Sequence, residues 1–414
     1  MKYIFYIGIG FILLCTQNLF GQTINEGIMV VSSDTDFSTL SEFDNKQEAT
    51  FYNNGTAFFY SHFNNDGQVD FIENSGMNRF IGNSPQEISG NQPSYFYGVL
   101  FDNASQTAPF QLSGEIDVTD NAIFNQGIVN NLDYNGIFRF REEAIHTNTS
   151  DFSFVNGAVE YKGNFDFVFP VGKEEYYRPA KISAPENPDA QFLGEYFLEN
   201  TDPIYPHQLT SDVVVAIDDQ EYWEIFNIGE DPEEEMYVTL TWREETTPNY
   251  ILNAAANETL TIVRWDEEAN MWVDEGGTIN KEEQSMTAQV KKAGVFTFAT
   301  LDSELVLPCH VVVYNAVTAN GDGINDYFRI EDQGDCAKEL KVKVYNRWGV
   351  KVFESNDYGE HNEVFDGIST GRLTVKDNKD LPNGTYFYTL EYEYDAGEEF
   401  KKEQQAGYLY LSSH

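Results

Sequence analysis

The sequence predicts an all-β protein with an N-terminal β-solenoid (β-helix-like) region, a middle β-sandwich and a third block of strands. Two patterns carry this prediction. Short apolar triplets recur at a fixed step in the first block, and strands in the other two blocks alternate apolar and polar residues. The composition agrees, because 41% hydrophobic and 15% aromatic residues exclude a disordered chain. At 414 residues the chain has room for two or three domains.

The solenoid is predicted for residues 22–181. Apolar residues stand six apart in two interleaved series, separated by polar turn triplets. The series are Phe110, Ile116, Ala122 and Ile128, and Leu112, Val118 and Phe124. Repetition at a fixed step predicts stacked coils that share one continuous core. An ordinary β-sandwich is the alternative for this block.

Residues 182–303 predict the middle sandwich. An alternating strand runs over residues 236–243, residues 260–265 and 271–273 flank a turn as in a hairpin, and residues 295–300 predict a closing strand. Four tryptophans could form a sugar-stacking platform, but their place on alternating strands favours the core. They are Trp223, Trp242, Trp265 and Trp272.

Residues 309–414 follow a short linker at residues 304–308 and read as strands throughout. Leu340, Val342 and Val344 alternate with polar residues, and residues 346–349 predict a turn before a returning strand. Further strands are expected at residues 386–394 and 407–411.

The charge of the chain is strongly acidic. Lys and Arg number 25 against 68 Asp and Glu, a formal net charge of -43. Such a field repels nucleic acid and anionic lipid, so we expect no nucleic-acid partner.

Residues 1–21 have the pattern of a cleaved secretory signal peptide, with Lys2, an apolar run over residues 3–14 and Gly21 before the expected cleavage point. A lipid anchor at Cys15 is an alternative, although Leu14 stands where a small residue is expected. A retained anchor is another, but the apolar run is shorter than the roughly 20 residues that span a bilayer. We therefore expect a secreted protein, at the cell surface or outside the cell.

Two cysteines remain after cleavage, Cys309 and Cys336. In an oxidising compartment an even pair predicts one disulfide, which would stabilise the fold by about 3 kcal/mol. Two free thiols in a core are the alternative.

Five motifs in the last block fall in the order and spacing of a single family. They are Asn320-Gly321-Asp322-Gly323-Ile324-Asn325-Asp326, Tyr345-Asn346-Arg347-Trp348-Gly349, Asp366-Gly367, Leu381-Pro382-Asn383-Gly384-Thr385-Tyr386-Phe387-Tyr388 and Gly407-Tyr408-Leu409-Tyr410-Leu411. With them the block resembles the type B C-terminal sorting domain of the type IX secretion system, also called the gliding motility-associated C-terminal domain. Phe365 departs from the family pattern, which has Trp before Asp-Gly, but it keeps an aromatic plug.

The resemblance implies an Ig-like β-sandwich and export by the type IX system. The implied partners are the translocon and an outer-membrane partner barrel. The sorting motif would comprise Asn320, Gly321, Asp322, Gly323, Asn325, Asp326, Asn346, Arg347, Trp348 and Gly349. Arg347 and Trp348 form either an exposed recognition pair or, as we favour, a packed pair in which Trp348 caps the sandwich edge and Arg347 meets an acid.

The first motif also resembles half of a calcium loop. Asn320, Asp322 and Asp326 supply alternating oxygen ligands, although Thr318 stands where a full loop begins with an acid. The same spacing recurs at Asn64, Asp66, Gly67 and Asp70. A turn stabilised by Asn and Asp side chains is the alternative at both places.

No catalytic signature is found in the sequence. The six histidines have no metal-ligand spacing, and the nearest candidate for a polysaccharide lyase is Arg139 and Arg141 beside Glu142 and Glu143. The two arginines point the same way on one strand, which favours a solvated rib, that is, a row of solvent-exposed side chains with no catalytic role.

We expect a surface-interaction or adhesion protein that is not an enzyme, with surface polysaccharide as a candidate partner. The alternatives are an extracellular carbohydrate-active β-helix enzyme, and a secretion or gliding accessory protein whose last domain is the working part.

Overall fold

The computed structural model describes residues 21–185, 187–210, 213–229, 235–257, 259–301, 311–319, 325–332, 337–359, 363–369, 379–395 and 400–412. The fold is nearly all-β, as predicted. No helix among these residues is long and apolar enough to cross a membrane.

The first block is a solenoid of about seven coils, each with three sides. Successive coils pair in parallel register on every side, so the prediction of a solenoid is confirmed. The first side contains β1 (Gln22–Asn25), β4 (Glu42–Asn45), β7 (Phe63–Asn65), β10 (Gln86–Ser89), β12 (Phe110–Leu112), β14 (Val129–Asn130), β17 (Val155–Asn156) and β20 (Val171–Lys173), which β21 (Tyr176–Tyr177) closes as a hairpin.

The other two sides belong to one large sheet. The second side contains β2 (Ile28–Val31), β5 (Thr50–Asn53), β8 (Gln68–Asp70), β15 (Ile137–Arg141) and β18 (Val159–Lys162). The third side contains β3 (Asp36–Thr39), β6 (Thr56–Phe59), β9 (Met77–Gly82) and β16 (Ile145–Thr147). Two long strands, β11 (Pro93–Asn103) and β13 (Glu115–Gln126), cover both sides of their coils.

The six-residue step is the length of one side of a coil. Phe110 lies on the first side, Ile116 on the second and Ala122 on the third, and all three are buried. The chain returns to the first side at Val129, which pairs with Phe110. Each step of six therefore crosses one side, and three sides close a coil.

Phenylalanine fills the solenoid core. On the third side, Phe59, Phe80, Phe101 and Phe124 stack from coil to coil, with ring centroids 5.3, 5.8 and 5.5 Å apart. Because parallel coils place the same position in register, a ring in one coil meets the ring of the next. This column accounts for part of the high Phe content.

The large sheet continues from the solenoid into the middle sandwich. β18 pairs in antiparallel fashion with β23 (Gln191–Phe197). Across the sheet β23 is followed by β25 (Tyr222–Asn227), β31 (Gly294–Leu301), β27 (Leu260–Asp266) and β28 (Met271–Gly276). β24 (Val214–Ile217) also pairs with β31. The second sheet contains β19 (Phe167–Phe169), β22 (Ala180–Ile182), β26 (Met236–Thr241), β30 (Ser285–Val290) and β29 (Thr278–Asn280). The expected boundary after residue 181 falls inside β22.

The alternating strand and the hairpin of the sandwich are confirmed by β26 and by the β27–β28 pair. The closing strand expected at residues 295–300 is confirmed by β31. β31 lies between β25 and β27, because strands distant in the chain come together around it.

One helix, α1 (Asn249–Asn257), was not expected. It follows Pro248, whose carbonyl accepts the first backbone bonds from Ile251 and Leu252 at 3.0 and 3.1 Å. Residues 254–256 are three alanines, the strongest helix formers, and Ile251 is buried against the sandwich core.

The third block has its own core. Its main sheet has the order β33 (Ala316–Thr318), β40 (Phe400–Ser412), β39 (Gly384–Asp395), β35 (Ala337–Tyr345) and β36 (Lys351–Ser355). Two short pairs complete it, β32 (Val311–Val313) with β34 (Ile330–Asp332) and β37 (Ile368–Ser369) with β38 (Lys379–Asp380). The expected strands of this block are confirmed, and Val312 and Tyr314 pack with the sandwich cluster instead of this core.

Candidate functional site

The turn between β35 and β36 presents an exposed aromatic side chain. The Asn346 side-chain oxygen accepts bonds from the backbone N–H groups of Trp348 and Val350, each at 3.0 Å, and Gly349 adopts the left-handed conformation with φ 75°. The backbone of this short turn is therefore fixed, while the Trp348 side chain is 73% exposed.

The expectation that Trp348 caps the sandwich edge is wrong. The turn extends beyond the last paired residues of both strands, so the indole projects away from the core. The Arg347 guanidinium carbon lies 4.5 Å from the Trp348 ring centroid, a cation–π contact between the two exposed side chains. The exposed-pair interpretation describes this turn.

Three adjacent strands bring a row of aromatic side chains next to this turn. Tyr345 of β35 is opposite Phe387 of β39, which is opposite Tyr408 of β40. Tyr410 lies two residues further along β40 on the same face. We call these four residues the aromatic row; Phe387, Tyr408 and Tyr410 are each at least half exposed.

The opposite face of the same strands is buried. Tyr386 and Tyr388 flank Phe387, Leu409 lies between Tyr408 and Tyr410, and all of these flanking residues lie in the domain core. Since side chains of a strand alternate between faces, an unbroken aromatic run must place rings on both. Solvent exposure of Phe387 thus follows from the aromatic run at residues 386–388, and Tyr408 faces the same side from the neighbouring strand.

The far end of the open face is polar and charged. Lys341 is opposite Glu391, which is opposite Gln404. Two residues further along β39 and β40, the Lys402 ammonium lies 2.9 Å from the Glu393 carboxylate. This ion pair raises the pKa of Lys402, chiefly through its hydrogen bond to Glu393. The open face is therefore aromatic near the turn and ion-paired at its distal end.

Other motif residues support the core under this face. The Phe365 ring is fully buried and lies 5.5 Å from the Phe353 ring, which fits the expected aromatic plug. Gly367 has φ 82°, a conformation that glycine adopts without strain. A Cβ atom on Gly407 would lie 2.5 Å from the Tyr388 hydroxyl, so the tyrosine ring crosses the strand where no side chain stands.

Part of the predicted site lies outside the described residues. This applies to Cys309 and Cys336 and to Asn320, Gly321, Asp322 and Gly323, so the disulfide and the later calcium loop stay predictions. Asn325 is described, with φ 50°, and its carbonyl accepts a 2.7 Å bond from the Thr318 backbone; Asp326 is described as well. Across the described ranges, no group of three or more His, Cys, Asp or Glu side chains could hold a metal ion.

The earlier calcium candidate forms a turn of the solenoid between β7 and β8. Asn64 donates to the Asp44 and Asp66 carboxylates at 3.1 and 3.0 Å, and Asn91 donates to Asp66 at 2.7 Å. These bonds, the one from Asn64 above all, lower the pKa of Asp66. Gly67 packs tightly, since a Cβ atom there would lie 2.3 Å from the Ala49 carbonyl oxygen. A turn stabilised by Asn and Asp side chains describes this segment.

The arginines of β15 form an ion network across coils instead of a solvated rib. Arg139 pairs with Asp117 at 3.0 Å and with Glu160 at 2.7 Å, and Arg141 donates to Asp117 at 2.7 Å. Asp117 is fully buried beneath them. Glu142 and Glu143 lie in the exposed loop that follows. The arrangement neutralises a buried carboxylate between neighbouring coils.

The four tryptophans of the sandwich are all buried, which confirms their place in the core. Trp223 and Trp272 are fully buried, and the Trp223 indole N–H donates to the Arg178 carbonyl at 3.0 Å. Arg178 forms a buried ion pair with Glu221 at 2.8 Å. Sequence reasoning missed this pair, because nothing in the local pattern around residues 178 and 221 distinguishes buried from exposed charges.

Comparison with known proteins bears on the third block alone. Residues 311–411 match the family described as CHU_C Type IX secretion signal domain. No curated protein and no solved structure matches the chain. The matched segment contains the exposed turn and the aromatic row. Residues 311–411 are therefore a type IX secretion signal domain, which implies export toward the cell surface or beyond it.

Proposed function

We propose that the protein is a surface-interaction protein without enzymatic activity, and that the secretion system recognises it through the aromatic row and Trp348. The single observation behind the proposed recognition is the exposed aromatic surface within the secretion signal domain. The partners proposed for that surface are the type IX translocon and its outer-membrane partner barrel.

Physical chemistry supports a protein partner for the aromatic row. Aromatic residues and Arg are enriched at protein interfaces, because they bury much area and lose little conformational entropy. Tyr345, Phe387 and Tyr408 stand on three hydrogen-bonded strands, so their backbones are fixed before binding. A rigid surface of this kind reduces the entropic cost of association.

The proposed surface-interaction role of the solenoid and the sandwich rests on different observations. The solenoid and the sandwich are built on one shared core, and the sandwich tryptophans and the Arg139 network serve packing. A catalytic role would need converging polar groups free to act on a substrate, whereas Arg139 and Arg141 hold Asp117 between coils. These features favour interaction over catalysis.

The recognition surface is tested by replacing Phe387 and Tyr408 with Ser in the full-length protein. Both side chains are half exposed, so we expect unchanged folding and loss of surface delivery. Phe400→Ser is the matched control, since Phe400 is also exposed and lies on the same face of β40 at its other end. Delivery is measured by surface labelling and by fractionation of periplasm and medium.

A chain that lacks residues 309–414 gives the reference for complete failure of export, because it lacks the whole signal domain. We expect it to accumulate in the periplasm. Normal delivery of the Phe387→Ser/Tyr408→Ser protein, or an equal defect in Phe400→Ser, would contradict recognition through the aromatic row.

A further inference from the structure

One corner of the solenoid carries a long depression that the export function does not use. It follows the corner between the third and first sides, where each coil turns after β3, β6, β9, β11 and β13. One part has a volume of about 1240 Å³ and the other about 570 Å³. Ala104 lines both parts, so the two adjoin and together follow this corner of the solenoid. We call the two together the corner groove.

The length of the corner groove suits an extended polymer. It runs from Gln22 in the first coil to Tyr176 in the closing hairpin. Neighbouring strands are about 4.8 Å apart, so about seven coils give a groove roughly 30 Å long. A compact small molecule would occupy only a fraction of this length.

Aromatic rings are exposed at both ends of the corner groove. Tyr60 is 38% exposed near one end and Phe152 is 68% exposed near the other. The Phe152 backbone is fixed, because its carbonyl accepts a 2.8 Å bond from Gly127 in the preceding coil. The Arg243 guanidinium lies 5.2 Å from the centroid of the half-buried Tyr176 ring, which lines the same part of the groove as Phe152. The exposed Tyr60 and Phe152 rings offer flat apolar surfaces to a ligand, and Tyr176 adds a partly exposed one.

The charges in the corner groove disfavour an anionic ligand. Among the described residues that line it there is no Lys or Arg, whereas Glu42, Asp102, Asp151 and Glu175 contribute carboxylates. Two of these already have donors, since Gln22 donates to Glu42 at 3.0 Å and Arg243 to Asp151 at 2.7 Å. The remaining lining is rich in neutral amides and hydroxyls, which exchange hydrogen bonds with other hydroxyl groups.

From this lining we propose that the corner groove binds a neutral polysaccharide chain, with Tyr60, Phe152 and Tyr176 stacking on sugar rings. The groove supplies apolar faces for the C–H surfaces of sugars and amide groups for their hydroxyls. This proposal rests on the surface-interaction role proposed above and names the ligand class for it.

Binding of the full-length mature protein to polysaccharides tests the proposal. The probes are insoluble or gel-embedded cellulose, laminarin, mannan, starch and agarose as neutral chains, alginate as an anionic chain and chitosan as a cationic chain. We expect retention on at least one neutral chain and none on alginate. Phe152→Ala/Tyr176→Ala should weaken that retention about tenfold, the loss expected for two stacking contacts.

Phe165→Ala is the matched control, because Phe165 is 46% exposed and lies outside the corner groove. It should bind like the unaltered protein, and Tyr60→Ala should weaken binding from the opposite end of the groove. Circular dichroism and the unfolding midpoint verify that each variant is folded. Absence of retention on every neutral chain, retention on chitosan or alginate alone, or full retention by Phe152→Ala/Tyr176→Ala would overturn the proposal.

Attachment of whole cells to a surface separates this proposal from the broader one. If cells that display Phe152→Ala/Tyr176→Ala attach normally while cells without the protein do not, the surface role stands and the corner groove is not its site. If removal of the protein leaves attachment unchanged, the surface role fails, whatever the polysaccharide result.

Discussion

Two aromatic residues in the secretion signal domain have opposite environments, and their contributions to stability differ accordingly. The Phe365 ring is buried against Phe353 and Tyr386, and the Phe365 N–H donates to the Tyr358 hydroxyl at 3.0 Å. Trp348 projects into solvent from its turn. Size and hydrophobicity alone do not distinguish the two.

Phe365→Ala should lower the free energy of unfolding by about 3–5 kcal/mol, because it leaves a cavity in the domain core. Trp348→Ala should change it by less than about 0.5 kcal/mol. Urea denaturation of the full-length protein, monitored on the signal domain by amide exchange, measures both. Equal effects of the two substitutions would contradict the assigned burial.

The surroundings of Glu195 in the sandwich disfavour the ionised form of its carboxyl group. It is directly opposite Glu224 on the neighbouring strand. Burial, and then repulsion by Glu224, raise the pKa of Glu195 from 4.5 to about 7. The folded protein therefore retains a proton there that the unfolded chain has lost, and the free energy of unfolding falls as the pH rises from about 4.5 to 7.

Glu195→Gln should raise the free energy of unfolding by about 1 kcal/mol at pH 8, after allowance for solvent screening, and should have little effect at pH 5. Urea denaturation at the two pH values measures the difference. Glu143→Gln, in an exposed loop, is the control and should have no effect at either pH. A stabilisation that is equal at pH 5 and pH 8 would rule out the proposed ionisation.

At the scale of the element, buried asparagines hold the corners of successive coils in register. Asn25 donates to Asn45 at 2.8 Å, and Asn45 donates to Asn65 at 2.9 Å and to the Gln68 carbonyl at 3.0 Å. The Asn45 amide uses both of its N–H donors and its oxygen acceptor, so it links its own coil to the coils on either side and to the backbone. Such a ladder favours one register over a shifted pairing of the strands.

Asn45→Ala should lower the free energy of unfolding by about 3 kcal/mol, because it removes three buried or partly buried hydrogen bonds, with Asn25, Asn65 and the Gln68 carbonyl. Asn74→Ala, at an exposed position of the same solenoid, should change it by less than about 0.5 kcal/mol. Thermal and urea denaturation provide the comparison. If Asn45→Ala is as mild as Asn74→Ala, the ladder does not stabilise the solenoid.

The elements that could be predicted are those fixed by local spacing. The step from Phe110 to Ile116 to Ala122 indicated inward-facing sides, and the alternation around Val238 indicated a half-buried strand. The central position of β31 could not be predicted, since the order of strands in a sheet depends on contacts distant in sequence. The alanines of α1 and the aromatic run at residues 386–388 were readable signals that the prediction did not use.

At the scale of the whole molecule, the solenoid and the sandwich share one hydrophobic core. Phe169 packs against the backbone of Gly194, where a Cβ atom would lie 2.5 Å from the ring. Arg178, beyond the last coil, is buried against Glu221 and lies 5.1 Å from the Trp223 ring centroid. The sandwich therefore covers the end of the solenoid that would otherwise expose apolar rings.

A fragment of residues 22–303 should fold cooperatively, whereas a fragment of residues 22–181 should aggregate or remain partly unfolded. The shorter fragment loses β23, the antiparallel partner of β18, and exposes the core shared with the sandwich. Size-exclusion chromatography and calorimetry distinguish the two outcomes. A monomeric, cooperatively melting 22–181 fragment would show that the coils do not need the sandwich.

The unequal size of the solenoid's corners has a consequence for how such a chain can diversify. Val129 pairs with Val155, 26 residues later, but Val155 pairs with Val171 after only 16. Flat sides keep the phenylalanine column intact, while the excess length is accommodated where the chain changes direction. Insertions and deletions at these bends can therefore change the surface of the solenoid, and with it the choice of ligand. They would leave the solenoid core and the secretion signal domain unchanged.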